Sequence, residues 1–100
     1  MDARTRAVTD WIADRLAGNP HVRRVVLFGS RARGDHAERS DIDLAVEAPT
    51  ADARVWDDIL ATIDEAPTLL QIDVVRIETA PQALREAIER EGIDVRVVRT

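Results

Sequence analysis

The chain has no cysteine and no lysine. The first absence excludes thiol nucleophiles, thiolate metal sites and disulfides, and with them any reading of the redox compartment. The second excludes a Walker A lysine, a Schiff-base lysine and a kinase-type lysine, because all 14 basic residues are arginine. Only His21 and His36 carry imidazoles, so a three-histidine zinc site cannot be built within one chain. Trp11, Trp56 and Phe28 are the only aromatics, too few for a base-stacking platform. No apolar run approaches the ~20 residues of a membrane span. Met1-Asp2-Ala3-Arg4 lacks the basic start and apolar stretch of a signal peptide, so a cytoplasmic location is the default. Four glycines and four prolines exclude a low-complexity chain.

What remains is an ordinary globular composition, 45% hydrophobic and 33% charged. One hundred residues make a single domain, 1–100. The net charge of -5 argues against a sequence-blind nucleic-acid binder. That charge is uneven. Residues 21–40 carry five arginines against Asp35 and Glu38, a local +3, while the rest of the chain carries -8. A basic segment inside an acidic protein is a candidate anion site.

Val8, Trp11, Ile12 and Leu16 recur at helical spacing and predict a helix over 3–17, ended by a left-handed cap at Gly18 before Asn19-Pro20. Val22 to Phe28 is a short β-branched run, read as a buried strand broken by Gly29-Ser30. A short helical turn and loop follow over 31–40. Asp41 to Val46 alternates strictly, with Ile42, Leu44 and Val46 on one face and Asp41, Asp43 and Ala45 on the other. A second long helix carries Val55, Trp56, Ile59, Leu60 and Ile63, with Thr50 as its expected N-cap. Leu69 to Ile77 reads as a third strand. Thr79 and Gln82 resemble a capping box for a helix ending at Gly92. Ile93 to Val98 is an expected edge strand. This alternation predicts an α/β fold, a sheet covered by helices.

The informative stretch is Phe28 to Val46, FGSRARGDHAERSDIDLAV. Its parts are weak alone; Asp-x-Asp is expected by chance in so acidic a chain, and Gly29-Ser30 could be a simple turn. Together they make a physical case. Gly29 lets the backbone approach a ligand after a buried strand. Ser30 offers a hydroxyl and an amide at the start of a helical turn, where anions are stabilised. Arg31 and Arg33 add positive charge. Asp41 and Asp43, two apart on one strand, point the same way ~6.6 Å apart. That face holds only Ala45 besides, leaving room above it. Hard carboxylate oxygens favour Mg²⁺ or Mn²⁺. Asp73, an acid among Ile72, Val74 and Val75, is the candidate third carboxylate if its strand adjoins theirs. Three such groups could hold two ions ~3.5–4 Å apart, a geometry for in-line phosphoryl or nucleotidyl displacement. His36, in the intervening loop, is read as solvated.

With these residues in view, the chain resembles a minimal nucleotidyltransferase (MNT) of the polymerase-β-like superfamily. The resemblance rests on Gly29-Ser30, ten intervening residues and Asp41-x-Asp43, within GSRARG and SDIDLAV, and on Ile72-Asp73-Val74-Val75 and the helix APQALREAIEREG. It implies the superfamily's α+β fold, a small mixed sheet covered by helices. Small members are similar to MNT-type antitoxins that transfer AMP from ATP to a tyrosine of a HEPN ribonuclease toxin. Carried over, Gly29 and Ser30, with Arg31 and Arg33 nearby, would bind the nucleotide. Asp41 and Asp43 would hold both Mg²⁺ ions. Asp73 would complete the catalytic site and take the proton of the attacking hydroxyl. Asp94 to Val98, DVRVV, departs from the more apolar ending of the family.

A nucleotide site built from these elements uses the whole chain. The acceptor is therefore expected on a partner protein or another copy of the chain; few aromatics and an acidic surface argue against RNA. Two alternatives stand beside AMP transfer to a HEPN toxin. One is a binding-only antitoxin that neutralises by contact. The other is a homodimeric enzyme acting on a small hydroxyl compound. An intact set of Asp41, Asp43 and Asp73 favours transfer, since a disused site tends to lose a metal ligand.

Overall fold

A computed structural model describes residues 1–97 of the chain. Helix α1 (Ala3–Leu16) opens the fold, and Asp2 caps it by accepting the Thr5 N–H at 2.7 Å. Strand β1 (Arg24–Phe28) and the one-turn helix α2 (Ser30–Arg33) follow. Strand β2 (Ile42–Glu47), helix α3 (Ala53–Asp64) and strand β3 (Ile72–Arg76) form a parallel crossover unit. A 3-10 turn (Ile77–Thr79), helix α4 (Gln82–Glu91) and strand β4 (Ile93–Val97) close it. The expected Val98 end of β4 lies outside the described residues. No described helix is long and apolar enough to cross a membrane.

The sheet is mixed, in the order β3-β2-β1-β4, with β1 antiparallel to both β2 and β4 and β2 parallel to β3. Both faces are covered. Val25 and Leu27 of β1, with Ile42, Leu44 and Val46 of β2, pack on Val8, Ile12 and Leu16 of α1 and Ile59 and Ile63 of α3. Val26, Phe28 and Ala45 pack on Ile88 of α4. A strand buried on both faces needs apolar residues at successive positions, which is why β1 reads as a continuous run. Each fully buried aliphatic side chain contributes roughly 1.5–3 kcal/mol, so the layer under α1 and α3 holds most of the folding energy.

Four local expectations change. Ala17, in right-handed helical conformation, is the C-cap of α1, and Gly18 does not take a positive φ. Asp52 rather than Thr50 caps α3, accepting the Val55 N–H at 2.9 Å, while Thr50 Oγ1 pairs with His21 Nδ1. Thr79 sits in the 3-10 turn, and Pro81 stands at the N-cap of α4 with no side-chain bond. Ala45 is fully buried beneath α4, so the polar face of β2 is open only at its Asp43 end.

Candidate active site

Strand register assembles the site. In the antiparallel pair, Phe28 lies opposite Asp43; in the parallel pair, Asp43 lies opposite Asp73. The turn after β1 therefore lands beside one carboxylate, and a neighbouring strand brings the second. Gly29 adopts φ 75 and ψ -157, and a Cβ there would lie 2.3 Å from Asp43 Oδ2. The backbone thus comes as close to Asp43 as a residue without a side chain allows.

Asp41 stands just before β2 and is exposed, while Ile42 N donates to Gln71 O at 2.9 Å. Asp43 is half-buried. Burial first, then the charges of Asp73 and Asp41, hold its carboxyl above the ordinary carboxylate range, and Arg33 opposes them. Asp73 is exposed, and its Oδ1 accepts from Gln71 Nε2 at 2.9 Å. Among the described residues, no three metal-ligating side chains gather closely enough to hold an ion as they stand. The donor set nonetheless fits Mg²⁺ or Mn²⁺ in chemistry: carboxylate oxygens only, with a half-buried member facing two like charges that a cation would neutralise.

Ser30 opens α2, where the first N–H groups have no intrahelical carbonyl to reach. Its hydroxyl has no partner among the described residues, and its carbonyl accepts from Gly34 N and Asp35 N. Arg33 remains at the site's rim, half-exposed, bridging Asp35 at 3.1 Å and Glu91 of α4 at 3.2 Å.

Arg31 is the correction. Its side chain is buried, and its guanidinium pairs with the Asp2 carboxylate at 3.7 Å. Nε donates to Ser40 O at 2.9 Å, Nη1 to Thr5 Oγ1 at 2.9 Å and Nη2 to Glu38 O at 2.8 Å. No guanidinium edge is left for a phosphate; the residue instead ties the 34–40 loop to α1. His36 is likewise not a solvated loop residue, because Nε2 pairs with Asp2 Oδ2 and the ring is largely covered. Arg31→Leu is expected to leave two carbonyls and a hydroxyl without their donor. That costs about 2–3 kcal/mol, or a melting temperature lower by roughly 10 °C or more, read by thermal denaturation.

Sequence reasoning passed over two features. Gln71 shares a face with Asp73 by strand alternation, and its amide fixes that carboxylate. Arg4 and Arg39 line a hollow of about 410 Å³ with Asp41, Leu69 and Gln71, although Arg4 is distant in sequence. The i, i+2 pair was readable in the sequence; the long-range one was not.

The polymerase beta nucleotidyltransferase family model matches residues 11–96. A toxin–antitoxin solved with AMP-PNP superposes with TM-score 0.67 at 26% identity, over 91% of this chain and 74% of that one. A protein assigned as a minimal nucleotidyltransferase gives TM-score 0.58 at 30% identity, over 93% of this chain and 95% of that one. A chain of the Shewanella oneidensis complex of tri-AMPylated HEPN toxin with MNT antitoxin gives 0.59 at 21% identity, over 93% and 73%. No curated protein matches at a significant level.

Proposed function

The chain belongs to the polymerase beta nucleotidyltransferase family, and from that premise we propose that it transfers AMP from ATP to a tyrosine hydroxyl of a HEPN-type toxin and so acts as its antitoxin. The observation that carries the reading is the convergence of three parts: Gly29 packed on Asp43, the first turn of α2 beside it, and Asp73 in register with Asp43. A phosphate-binding turn and a pair of carboxylates are the minimum for moving a nucleotidyl group. The solved toxin–antitoxin with AMP-PNP and the AMPylated complex support both the nucleotide and the acceptor class.

In this reading the backbone at Gly29 and Ser30 holds the triphosphate, with the Ser30 hydroxyl as a further donor and Arg33 as a nearby positive charge. Asp41 and Asp43 would hold two Mg²⁺ ions, and Asp73 would share the catalytic one. Bound there, the ions would neutralise the triphosphate and the charge that develops on the entering and leaving oxygens. The acceptor hydroxyl forms a bond to the α-phosphorus, the α–β bridging bond breaks, and pyrophosphate leaves. The hydroxyl proton passes to the Asp73 carboxylate, which Gln71 orients. A cytoplasmic setting, where ATP is at hand, suits this chemistry.

The test is incubation with α-labelled ATP, Mg²⁺ and the product of the neighbouring gene, which this reading expects to be a HEPN-type toxin. Label on a toxin tyrosine together with loss of toxin ribonuclease activity is the expected result. Silencing without label would make the chain a binding-only antitoxin and overturn the transfer reading. A second expectation concerns the nucleotide alone. Mg-ATP at about a hundredfold over its dissociation constant contributes ~2.7 kcal/mol, a melting shift of roughly 10 °C or more in thermal denaturation. ATP with a chelator should give a much smaller shift, because the acids beside the turn repel a bare triphosphate. Equal shifts would count against a metal site.

A further inference from the structure

Strand β3 is an edge of the sheet, bonded to β2 on one side only among the described residues. Alternation decides which of its backbone groups remain free. Gln71 O accepts from Ile42 N, so residues 71, 73 and 75 turn their backbone groups toward β2. Those of Ile72 and Val74 point outward. Along this edge runs a groove of about 570 Å³ between β3 and the C-terminal half of α3. Leu60, Ile63, Leu70, Ile72 and Val74 line it, and so does Asp73. The side chains divide by face. Ile72 and Val74 pack with the α1 and α3 layer, whereas Asp73 shares the opposite face with Val75, on the side covered by α4.

We propose that this edge groove is the acceptor site, and that the acceptor enters as an extended segment added antiparallel to β3, with a hydroxyl side chain opposite Asp73 and an apolar side chain on either side of it. The inference rests on the proposed AMP transfer, which requires the hydroxyl to reach Asp73. Each part of the groove selects one feature of the occupant. The outward N–H and C=O groups of Ile72 and Val74 select an extended backbone, since strand addition satisfies both. The residue facing Asp73 then falls at a non-hydrogen-bonded position, where opposing Cα atoms lie ~4.5 Å apart and side chains are closest. Its two neighbours point to the other face, toward Leu60, Ile63 and Leu70. The acceptor motif is therefore apolar–hydroxyl–apolar in an extended stretch of a partner protein.

The probe is the heptapeptide Lys-Thr-Val-Tyr-Val-Thr-Lys. It is used plain, with both valines N-methylated, or with the tyrosine alone N-methylated. Transfer is measured with labelled Mg-ATP at sub-saturating peptide, and binding by the backbone amide resonances of Ile72 and Val74 in the full chain. The valine amides face β3 in this register and the tyrosine amide faces away. Methylating the valines should lower transfer about tenfold or more, and methylating the tyrosine should change it by less than about twofold. Equal effects of the two modifications would overturn the groove while leaving AMP transfer standing. A peptide that shifts both amides but receives no AMP would overturn the groove as an acceptor site, while label on the toxin tyrosine in the incubation above would leave AMP transfer standing. Unmoved Ile72 and Val74 amides, or a free protein already dimeric through β3, would overturn the groove as an acceptor site.

Discussion

Asp73→Asn is expected to bind Mg-ATP nearly as well as the native chain and to transfer AMP ~10²–10⁴-fold more slowly, the usual worth of a positioned general base. The fold has little reason to change. Asp73 is exposed on an edge strand, and an asparagine oxygen can still accept from Gln71 Nε2, as Oδ1 does now at 2.9 Å. In the proposed mechanism Asp41 and Asp43 would remain to hold the ion that accompanies the triphosphate. What the amide cannot do is take a proton from the attacking hydroxyl, and it is a poor ligand for the catalytic ion. The change also removes one of the charges that hold the Asp43 carboxyl above its ordinary range, so that carboxyl should titrate lower in the variant. Asp43→Asn should behave differently and lose both binding and transfer, because Asp43 touches the Gly29 turn as well as facing Asp73. The measurement is nucleotide affinity and AMP transfer side by side on both variants. Native-rate transfer by Asp73→Asn would reduce Asp73 to a solvated strand acid and end the three-carboxylate mechanism.

The sequence carried the element order, and the reason is that the apolar periodicities here are strong and short-range. The stripe Val8, Ile12, Leu16 and the alternation from Ile42 to Val46 each report one buried face, and both are buried as the pattern requires. The meeting of Asp43 and Asp73 could only be stated as a condition on adjacent strands. The parallel register supplies it through the crossover by α3. Arg31 shows where local reading fails. Beside Gly29-Ser30, a guanidinium reads as a phosphate ligand, yet nothing nearby in sequence announces that Thr5, Glu38 and Ser40 surround it. An arginine that reaches three separate acceptors is more stable buried on them than solvated at the rim, and that arrangement is a long-range fact. Ala45 failed for the same reason. Its polar-looking face is closed by Ile88, more than forty residues later in the chain. The cap expected at Thr50 fell to Asp52 because threonine and aspartate compete for such a position at similar energy, whereas α4 starts after Pro81, which has no capping side chain, and leaves Thr79 in the preceding turn.

Gly29→Ala tests whether the turn and the carboxylate act as one unit, and Gly34→Ala is its control. Both glycines have positive φ, 75 and 85, so each alanine meets unfavourable backbone conformations. Their surroundings differ. A Cβ at Gly34 has nothing within 4 Å, whereas one at Gly29 would lie 2.3 Å from Asp43 Oδ2, 3.2 Å from its Cγ and 3.3 Å from its Cβ. The Asp43 Cβ is fixed by a strand paired on both sides, so it cannot retreat. Either the carboxylate swings away from Asp73, or the turn lifts and takes the first amides of α2 with it. Each response separates phosphate binding from the carboxylates by an ångström or more, a misplacement that costs on the order of 10²-fold or more in rate. Both variants should lose stability, about 1–3 kcal/mol from backbone strain, with Gly29→Ala the worse of the two. Transfer should divide them. Gly34→Ala should stay within several-fold of native at a temperature where it is folded, and Gly29→Ala should fall ~10²–10³-fold under the same conditions. Circular dichroism at the assay temperature separates lost activity from lost fold. If the two alanines reduce transfer equally among folded molecules, the contact between Gly29 and Asp43 has no part in the chemistry, and the turn serves only to reverse the chain.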